Sequence, residues 1–378
     1  MKKIRLLFLH GTLACGGAEQ ALYDLLTLLD PEKFEITLLV FYDGGKWVSK
    51  FQEAGIRMLT PWTCQRSTDN PFVKLWNKYL GLRILRSFRK DGRNLVPLCV
   101  GEEFDLIVSY NVWDLQQAGF VPGTKALRFI HGDMGTNPEF AETILNSMDV
   151  MEKFDRFICV SQGAAESFRR MTGLGDRVTV HYNPIDSDRI RAMAREQAAL
   201  PEDLPLICAV GRLSREKGFL RLIRIHSHLV KEGLAHRLVI VGEGSEREAL
   251  EKEIAAEGVR DTVILAGYQE NPYPYIQRSR LLVCASYTEA LPVVAMEALV
   301  LGKPVVSAVP SVGEIFAEET CGMLTGNDDD SLEQGLRQVL SDGECYARLR
   351  AGAERRSRCF EGKHMVREIE EEFLDLVK

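Results

Sequence analysis

The stretch that most clearly indicates the fold spans residues 206–219 and reads LICAVGRLSREKGF. Its first five residues form an apolar run typical of a buried parallel strand, Gly211 turns the chain, and a helix is predicted to begin near Glu216. Arg212 and Lys217 therefore lie between a strand end and a helix start. Free backbone N–H groups, the helix dipole and two cations predict an anion site there; two solvated surface cations are the alternative.

Similar Val-, Ile- and Leu-rich runs recur on both sides of this stretch and alternate with segments of helical period. Near-continuous apolar strands are typical of parallel sheets covered on both faces, so we predict an α/β fold of two doubly wound, Rossmann-like domains facing each other across a cleft. The predicted strands are 4–9, 36–42, 106–109, 127–130 and 157–160 in the first half, and 206–210, 238–241, 263–265, 281–284 and 305–309 in the second.

The domain boundary is predicted where strand signals disappear. We assign residues 1–184 to the first domain, 185–204 to a hinge segment and 205–360 to the second domain. A terminal helix is predicted over 361–378, with a return to the N-terminal domain as one option. A chain of 378 residues is too long for one ordinary core and suits two.

Composition excludes several classes of protein. A net charge of −7 argues against general binding to nucleic acid. Nine cysteines form no C-x-x-C pair, which indicates reduced thiols and a cytoplasmic protein. No run approaches the roughly 18 apolar residues of a spanning helix, and His10 and Gly11 interrupt the first apolar run, so we predict a strand there and no signal peptide.

A second informative stretch, SYTEALPVVAMEALVLGKP, spans residues 286–304. Pro292 suits the first helical turn and Gly302 the helix end, which puts Glu289 in the entering loop and Glu297 inside the helix. The two carboxylates can accept hydrogen bonds from the vicinal hydroxyls of a sugar or ribose, and backbone N–H groups within 290–293 can meet a phosphate. The alternative is that Glu289 complements the helix dipole and Glu297 forms a surface ion pair.

The Gly-Arg-x4-Lys-Gly of residues 211–218 and the Glu-x7-Glu of residues 289–297 together resemble the retaining GT-B-fold glycosyltransferases of the family 4 type, also called glycosyl transferases group 1. This family includes many bacterial surface-polysaccharide enzymes. The resemblance is strong over residues 205–327 and rests in the first half on the Gly-Gly loop, His131 and Val160-Ser161. It implies that the first domain lies on the acceptor side and that the second binds the nucleotide-sugar.

The resemblance also implies roles for single residues. Arg212 and Lys217 hold the donor diphosphate, Glu297 takes the ribose, and Glu289 holds a hydroxyl of the transferred sugar. The sequence departs from the family pattern at Ala290, where glycine is usual, and the added methyl group narrows the sugar pocket. The full donor-binding set is Gly16, Gly17, Gly211, Arg212, Lys217, Gly242, Glu243, Tyr268, Glu289, Ala290, Leu291, Pro292, Val293 and Glu297, and the catalytic set is His131, Arg212, Lys217 and Glu289.

Members of that set outside the two main stretches have plainer alternatives. Gly16 and Gly17 follow the first strand, where an ordinary tight turn is the alternative to a place beside the donor phosphate or acceptor. Gly242-Glu243 and Tyr268 follow two further strands and are predicted to border the nucleobase, although Tyr268 can also serve packing alone. His131 stands at a strand end before a glycine; the family places such a histidine near the transferred sugar, and a structural role is the alternative.

Metal-binding patterns receive a different interpretation. Asp186-Ser187-Asp188 and Asp328-Asp329-Asp330 match the Asp-x-Asp text of manganese-dependent transferases, but acidic residues at these places favour helix capping. His226 and His228 face two sides of a helix, and no zinc spacing is present. We predict no cofactor and no required metal, since the nucleotide-sugar is a co-substrate.

Residues 72–93 are basic in an otherwise acidic chain. Cationic and apolar residues recur there at helical spacing, which suits an anionic membrane surface; a helix packed on its own domain is the alternative. The sequence thus predicts a cytoplasmic, retaining hexosyltransferase, peripheral on the inner face of the membrane if the basic segment binds lipid. Its partners are a UDP-sugar and a glycan or lipid-linked acceptor. The rival functions are a GT-B sugar-nucleotide epimerase and a catalytically silent GT-B partner subunit.

Overall fold

The computed structural model describes residues 2–14, 16–41, 45, 47–60, 79, 102–112 and 123–378. The chain divides into two compact units: Met1–Asn183 together with Val366–Lys378, and Pro184–Met365. Residues 185–204, predicted as a hinge, belong to the second unit and contain a helix, Ser187–Met193. Their role as a hinge stays a prediction. No helix within the described residues is long and apolar enough to cross a membrane.

The first unit is built on a parallel sheet of seven strands in the order β3-β2-β1-β4-β5-β6-β7. Its strands are β1 Ile4–His10, β2 Phe34–Val40, β3 Arg57–Leu59, β4 Leu106–Asn111, β5 Lys125–Ile130, β6 Arg156–Cys159 and β7 Val178–Val180. The described helices of this unit are α1 Gly17–Leu28, α2 Val48–Glu53, α3 Pro138–Leu145, α4 Met148–Met151 and α5 Gln162–Thr172. Chain order reverses beside β1, so the sheet is doubly wound.

The second unit repeats this plan with a six-stranded parallel sheet in the order β10-β9-β8-β11-β12-β13. Its strands are β8 Leu206–Val210, β9 Arg237–Val241, β10 Val263–Gly267, β11 Leu281–Cys284, β12 Val305–Ser307 and β13 Gly322–Leu324. Its helices are α6 Ser187–Met193, α7 Phe219–Lys231, α8 Arg247–Glu257, α9 Tyr273–Arg278, α10 Val293–Val300, α11 Val312–Phe316, α12 Asp329–Ser341 and α13 Gly343–Arg356. Here the order reverses beside β8, which places the loops after β8 and β11 side by side.

The strand predictions are confirmed within a few residues, and those at 206–210 and 281–284 coincide with β8 and β11. The short strands β3, β7 and β13 are absent from the sequence-based prediction. The helix predicted near Glu216 begins only at Phe219. Residues Arg215–Lys217 form a 3-10 turn, and Gly218 at φ +67° in the left-handed region separates that turn from α7.

The terminal helix α14, Gly362–Val377, starts where the sequence predicts it. From Val366 onward it is part of the first unit, so both chain ends build that unit. The buried Phe373 packs edge-on against Phe8 of β1 and Phe34 of β2, at 6.1 and 6.2 Å between ring centroids. The Glu370 carboxylate accepts a hydrogen bond from the Lys33 ammonium at 2.7 Å, which ties the helix to the residue before β2.

Candidate functional site

The central feature of the second unit is an ion pair between two loops at the carboxyl edge of its sheet. Lys217 follows β8, Glu289 follows the neighbouring β11, and the Lys217 Nζ lies 3.0 Å from Glu289 Oε2. Both side chains are mostly buried, at 22% and 17% exposed. Open parallel sheets bind ligands at this edge, so the ion pair lies where a ligand is expected to bind.

Both oxygens of the Glu289 carboxylate are engaged. The Ser286 hydroxyl donates to Oε1, while Lys217 holds Oε2. A carboxylate held at both ends has a fixed direction, which is what recognition of a particular hydroxyl of a ligand needs. Ser286 was not among the predicted site residues.

Arg212 differs from Lys217 in being open to solvent. Its side chain is 71% exposed, and its guanidinium lies 3.7 Å from Glu216 Oε1, its i+4 neighbour. An exposed pair of this kind contributes little to stability, so it opposes the movement of Arg212 toward an anion only weakly. The structure therefore presents one cation held in an ion pair, Lys217, and one exposed cation, Arg212, in the same strand-to-helix connection.

Glycines bring the backbone segments of this edge into contact. Gly242 follows β9 with φ +149°, and a Cβ added there would overlap the carbonyl oxygen of Gly211 after β8. A Cβ on Gly218 would likewise overlap the carbonyl oxygen of Ala285 after β11. The two close approaches thus involve Gly211 and Gly218, on either side of Lys217, and a side chain at Gly242 or Gly218 would overlap the backbone.

The loop after β11 leads into α10 through Ala290, Leu291 and Pro292. The sequence indicates that Pro292 suits the first helical turn. In the structure Pro292 is the N-cap, and the helix begins at Val293. The first N–H groups of a helix have no intrahelical acceptor and suit an anion. Ala290 is buried, so its methyl group occupies space beside this helix end.

Glu297 lies inside α10, as predicted, and is 7% exposed. The Tyr273 hydroxyl of α9 donates a hydrogen bond of 3.0 Å to Glu297 Oε1. The surface ion pair considered as its alternative role is wrong, because the carboxylate is buried. Glu289 is thus held by an ion pair in the loop after β11, and Glu297 by a hydrogen bond inside α10.

Glu243 and Tyr268 occupy the loops after β9 and β10. The Glu243 carboxylate pairs with Arg247, its i+4 neighbour, and Oε1 lies 3.2 Å from where a Cβ on Gly267 would stand. The loops after β9 and β10 are therefore adjacent. The part of Glu243 and Tyr268 in binding a nucleobase stays a prediction.

Gly16, Gly17 and His131 belong to the first unit. Gly16 is the N-cap of α1 in an extended conformation, and Gly17 is the first residue of that helix. Glu19, in the first turn of α1, lies 3.4 Å from Nε2 of His10 at the end of β1. The Gly-Gly loop therefore stands over the carboxyl end of β1, as the sequence predicts.

His131 directly follows β5 and packs against Tyr110 at 4.4 Å between ring centroids. Its Nε2 atom is buried and has no hydrogen-bond partner among the described residues. Burial lowers the pKa of His131 to about 3, and nearby His10 and Arg128 act in the same direction. The imidazole is therefore neutral at physiological pH, with one nitrogen available for a hydrogen bond.

The capping interpretation of the acidic triplets is confirmed. Asp186 accepts a hydrogen bond from the Arg189 N–H at the start of α6, and Asp328 accepts one from the Ser331 N–H at the start of α12. His226 is buried on α7, and His228 on the same helix is exposed.

Among the described residues, His228, Glu232 and Glu333 lie close enough to hold a metal ion. Arg337 binds both of these carboxylates, with its Nη2 2.6 Å from Glu333 Oε1. The cluster is thus an ion-pair network around Arg337. That no metal is required stays a prediction.

Two residues that join these loops, Arg221 and Asn327, have no place in the sequence-based prediction. Arg221 on α7 is 1% exposed and donates to the carbonyl oxygens of Ala285 and Ser286, and Asn327 accepts from its guanidinium. The signal for Arg221 was a charged residue in register with Ile225 and Leu229 on the apolar side of a helix. Asn327 gives no such signal, because its partner lies 106 residues away.

Comparison with known proteins follows the two units closely. Residues 15–189 match the family model described as Glycosyltransferase Family 4, and residues 191–356 match the model described as Glycosyl transferases group 1. The basic segment 72–93 lies within the first match but, apart from Tyr79, outside the described residues.

Two curated proteins align over nearly their whole length. The chain is 28% identical to the N-acetylgalactosamine-N,N'-diacetylbacillosaminyl-diphospho-undecaprenol 4-alpha-N-acetylgalactosaminyltransferase of Campylobacter jejuni, over 94% of this chain and 96% of that protein. It is 26% identical to the lipopolysaccharide core biosynthesis glycosyltransferase LpsD of Rhizobium meliloti, over 96% of this chain and 94% of that protein.

Solved structures share the fold at low sequence identity. Sucrose-phosphate synthase of Thermosynechococcus elongatus superposes with a TM-score of 0.77 at 19% identity, covering 99% of both chains. HepE of Anabaena, solved in complex with UDP, gives a TM-score of 0.74 at 18% identity, covering 98% of this chain and 100% of that one. These likenesses confirm the predicted GT-B fold class with two Rossmann-like domains.

Proposed function

The chain is built from two glycosyltransferase domains, a Family 4 domain followed by a group 1 domain, and from that premise we propose that it is a retaining hexosyltransferase. Its donor is a nucleoside-diphosphate sugar, in the first place a UDP-sugar, and its acceptor is a hydroxyl of a glycan or lipid-linked sugar. The observation that carries the proposal is the ion pair of Lys217 with Glu289 at 3.0 Å, in the same connection as the exposed Arg212.

The charges at this edge match the parts of such a donor. Lys217 and Arg212 are cations for the diphosphate, and Glu297 is a buried acceptor for the ribose hydroxyls. When the donor binds, Lys217 turns from Glu289 to a phosphate oxygen, which frees one oxygen of Glu289 for a hydroxyl of the sugar. Lys217 thus keeps an anionic partner throughout, while Glu289 exchanges its cation for a neutral hydroxyl and keeps the hydrogen bond from Ser286. UDP is the favoured nucleotide because HepE, which shares the fold, was solved with it.

Transfer begins with departure of the nucleoside diphosphate, which leaves negative charge on its outer phosphate. Lys217, Arg212 and the start of α10 stabilise that charge, and the anomeric carbon becomes oxocarbenium-like. The leaving phosphate accepts the proton of the incoming hydroxyl on the same face, so the anomeric configuration is retained. The neutral His131 serves as a hydrogen-bonding group near the sugar, since its lowered pKa keeps it uncharged. No metal is required in this scheme.

The names of two relatives support the proposed acceptor class. The Campylobacter protein is named as a transferase acting on a diphospho-undecaprenol-linked sugar, and the Rhizobium protein as one of lipopolysaccharide core biosynthesis. We infer an acceptor of the same class and a cytoplasmic protein that works at the inner face of the membrane.

A transfer assay tests the proposal. Purified protein is incubated with UDP-glucose, UDP-galactose and their N-acetylamino forms plus a bacterial lipid extract, with and without a chelator, and released UDP is measured. We expect turnover that survives chelation and falls about a hundredfold in Lys217→Ala, because one donor of a charge-stabilising site is removed. Lys231→Ala is the matched control, since Lys231 pairs with Glu257 at the far end of α7. Undiminished turnover in both Lys217→Ala and Arg212→Ala would exclude the proposed roles.

The same assay separates the rival functions. An epimerase releases a free sugar epimer without any acceptor, and a silent partner subunit binds UDP tightly without turnover. NMR analysis of the product distinguishes retention from inversion at the anomeric carbon.

Membrane binding through residues 72–93 needs its own test. Because the proposed contact is between a basic segment and anionic lipid, we expect the protein to pellet with phosphatidylglycerol vesicles at low salt and to be released at high salt. Failure to pellet at low salt removes the segment from the acceptor proposal.

A further inference from the structure

Arg221 is a deeply buried cation at the carboxyl edge of the second unit's sheet, and its guanidinium contacts two backbone carbonyls, the Asn327 side chain and, at 3.8 Å, the Asp329 carboxylate. Its side chain is 1% exposed. Nε donates to the Ala285 carbonyl at 2.9 Å, and Nη2 donates to the same oxygen at 2.6 Å and to the Ser286 carbonyl at 3.1 Å. One planar fork thus holds the two carbonyls that directly follow β11.

The same guanidinium also reaches the loop after β13. Arg221 Nη2 donates to Asn327 Oδ1 at 2.8 Å, and Nη1 lies 3.5 Å from the Asn327 carbonyl oxygen. Asn327 in turn donates from Nδ2 to the Tyr287 carbonyl at 2.7 Å. Successive carbonyls at 285, 286 and 287 are therefore all held by Arg221 or by the asparagine that Arg221 orients.

The same segment is held from the side of Lys217. The Tyr287 N–H donates to the Glu216 carbonyl at 2.8 Å, and the Tyr287 ring lies 4.1 Å from the Arg221 guanidinium carbon. Glu289 follows two residues later and contacts both segments, through the Ser286 hydroxyl and the Lys217 ammonium. The connection carrying Lys217 and the loop carrying Glu289 are consequently aligned by contacts that begin at Arg221.

A buried charge is a costly way to fill a core, because an apolar residue of similar volume packs without loss of hydration. What Arg221 contributes instead is a fixed geometry. A guanidinium offers five N–H donors in a fixed plane and can satisfy several carbonyls that have left the sheet, which no apolar side chain can do. These carbonyls belong to the segment that leads to Glu289, so holding them fixes the position of Glu289.

We propose that Arg221 is a positioning residue that fixes residues 285–287 and thereby sets the place of Glu289 relative to Lys217 and the donor sugar. The expected effect on catalysis rests on the proposed function. The expected effect on residues 285–287 concerns the free protein and does not. Arg221 touches no substrate in this scheme and acts through Glu289.

The test compares Arg221→Met with the wild type and with Arg224→Met. Arg224 lies one turn along α7, is exposed and pairs with Glu253, so it matches the change without touching the loop. Amide hydrogen exchange of the free proteins is followed in peptides covering 285–292, with β9 as the reference. UDP affinity is measured by calorimetry, and kcat and donor KM are measured with the UDP-sugar that the wild type uses.

For Arg221→Met we expect exchange within 285–292 to rise about tenfold while β9 changes less than about twofold. We expect kcat to fall between about tenfold and a hundredfold, as for a misplaced site group, with UDP affinity within about threefold of wild type. Arg224→Met should match the wild type in every measurement. If Arg221→Met does not fold, Arg221→Lys keeps the charge, loses the fork and is expected to show the same pattern.

Unchanged exchange in 285–292 or an unchanged kcat would overturn the inference, because Arg221 would then not position the loop. An equal rise of exchange in β9 would overturn it too, because the substitution would then have lowered the stability of the whole unit. Absence of turnover in the wild type is a different result. It removes the proposed function, while the exchange data still decide whether Arg221 positions the loop.

Discussion

Glu289 and Glu297, near the carboxyl edge of the second unit's sheet, have different surroundings, and these suit them to different roles. Glu289 is tied to a cation and a hydroxyl, and Glu297 is buried within α10 beside the Tyr273 hydroxyl. In the proposed scheme the first exchanges its cation for a hydroxyl of the sugar, while the Ser286 hydroxyl still holds its other oxygen. The second is fixed before any ligand arrives, which suits recognition of the constant part of a donor, its ribose.

Tyr273→Phe tests this division at the scale of one hydrogen bond. Loss of the hydroxyl leaves Glu297 in place but less well oriented, so we expect UDP affinity to fall by about threefold to tenfold, the value of one net hydrogen bond. Isothermal titration of UDP measures the effect. Tyr275→Phe, on the same helix α9, is the control, and equal affinities in the two variants would separate Glu297 from nucleotide binding.

Buried histidines should make stability depend on pH. His226 on α7 is bonded to His236 at 2.9 Å and to the Thr262 hydroxyl at 2.9 Å, and burial, followed by His236, lowers its pKa to about 3. The unfolded chain binds a proton at this position below an ordinary pKa of 6.5, and the folded chain does not until about 3. Its stabilising effect is thus complete above 6.5 and is lost as the pH falls through that window.

We therefore expect the free energy of unfolding to decrease on acidification from neutrality, with His226 contributing up to about 1.4 kcal/mol per pH unit. His226→Gln, which cannot titrate, should have a shallower slope between pH 6 and pH 4.5. Urea unfolding at a series of pH values measures both slopes. Parallel curves for the two proteins would show that the pKa of His226 does not change on folding, contrary to the prediction.

At the scale of elements, the two ends of α7 are bounded by glycines with different surroundings. Gly218 and Gly233 both have positive φ, at +67° and +92°. A Cβ on Gly218 would overlap the Ala285 carbonyl, whereas a Cβ on Gly233 would meet nothing within 4 Å. Backbone strain is common to both sites, and steric overlap with the neighbouring strand end belongs to Gly218 alone.

Alanine substitutions separate these two contributions. Gly233→Ala should cost about 1 to 2 kcal/mol for the left-handed conformation, and Gly218→Ala should cost clearly more, because the strand end must also shift. Urea unfolding of the two variants gives the comparison. Equal losses would mean that the close approach of α7 to β11 is freely adjustable, which would also weaken the positioning proposed for Arg221.

At the scale of the whole molecule, the chain leaves the first unit, builds the second and returns. Residues 366–378 complete the first unit through Phe373, Glu370 and their partners. The first unit is consequently incomplete until the last residues of the chain are in place, which makes its stability depend on the far end of the sequence.

Phe373→Ala measures that dependence. Removal of a buried aromatic ring between β1 and β2 should destabilise the first unit by about 3 to 5 kcal/mol. Leu324→Ala, an exposed position, is the control and should have little effect. Limited proteolysis with mass spectrometry assigns the loosened unit, and cleavage confined to the second unit would contradict the prediction.

Much of this architecture was predictable because it is local. Strands such as Leu206–Val210 and Leu281–Cys284 are apolar runs bounded by turn residues, and the caps at Asp186 and Asp328 depend on residues three positions away. These features are encoded in short stretches, so periodicity, turn chemistry and family likeness suffice to find them.

The tertiary structure alone decided the features that depend on distant partners. The sequence suggested separate tasks for Lys217 and Glu289, and only the folded chain shows them as one pair. It could not assign Arg221, whose carbonyl and amide partners lie 64, 65 and 106 residues away. The burial of Glu297 and the neutral state of His131 likewise arise from packing. Desolvation and hydrogen-bond geometry depend on what surrounds a group in space, and a linear pattern does not contain that information.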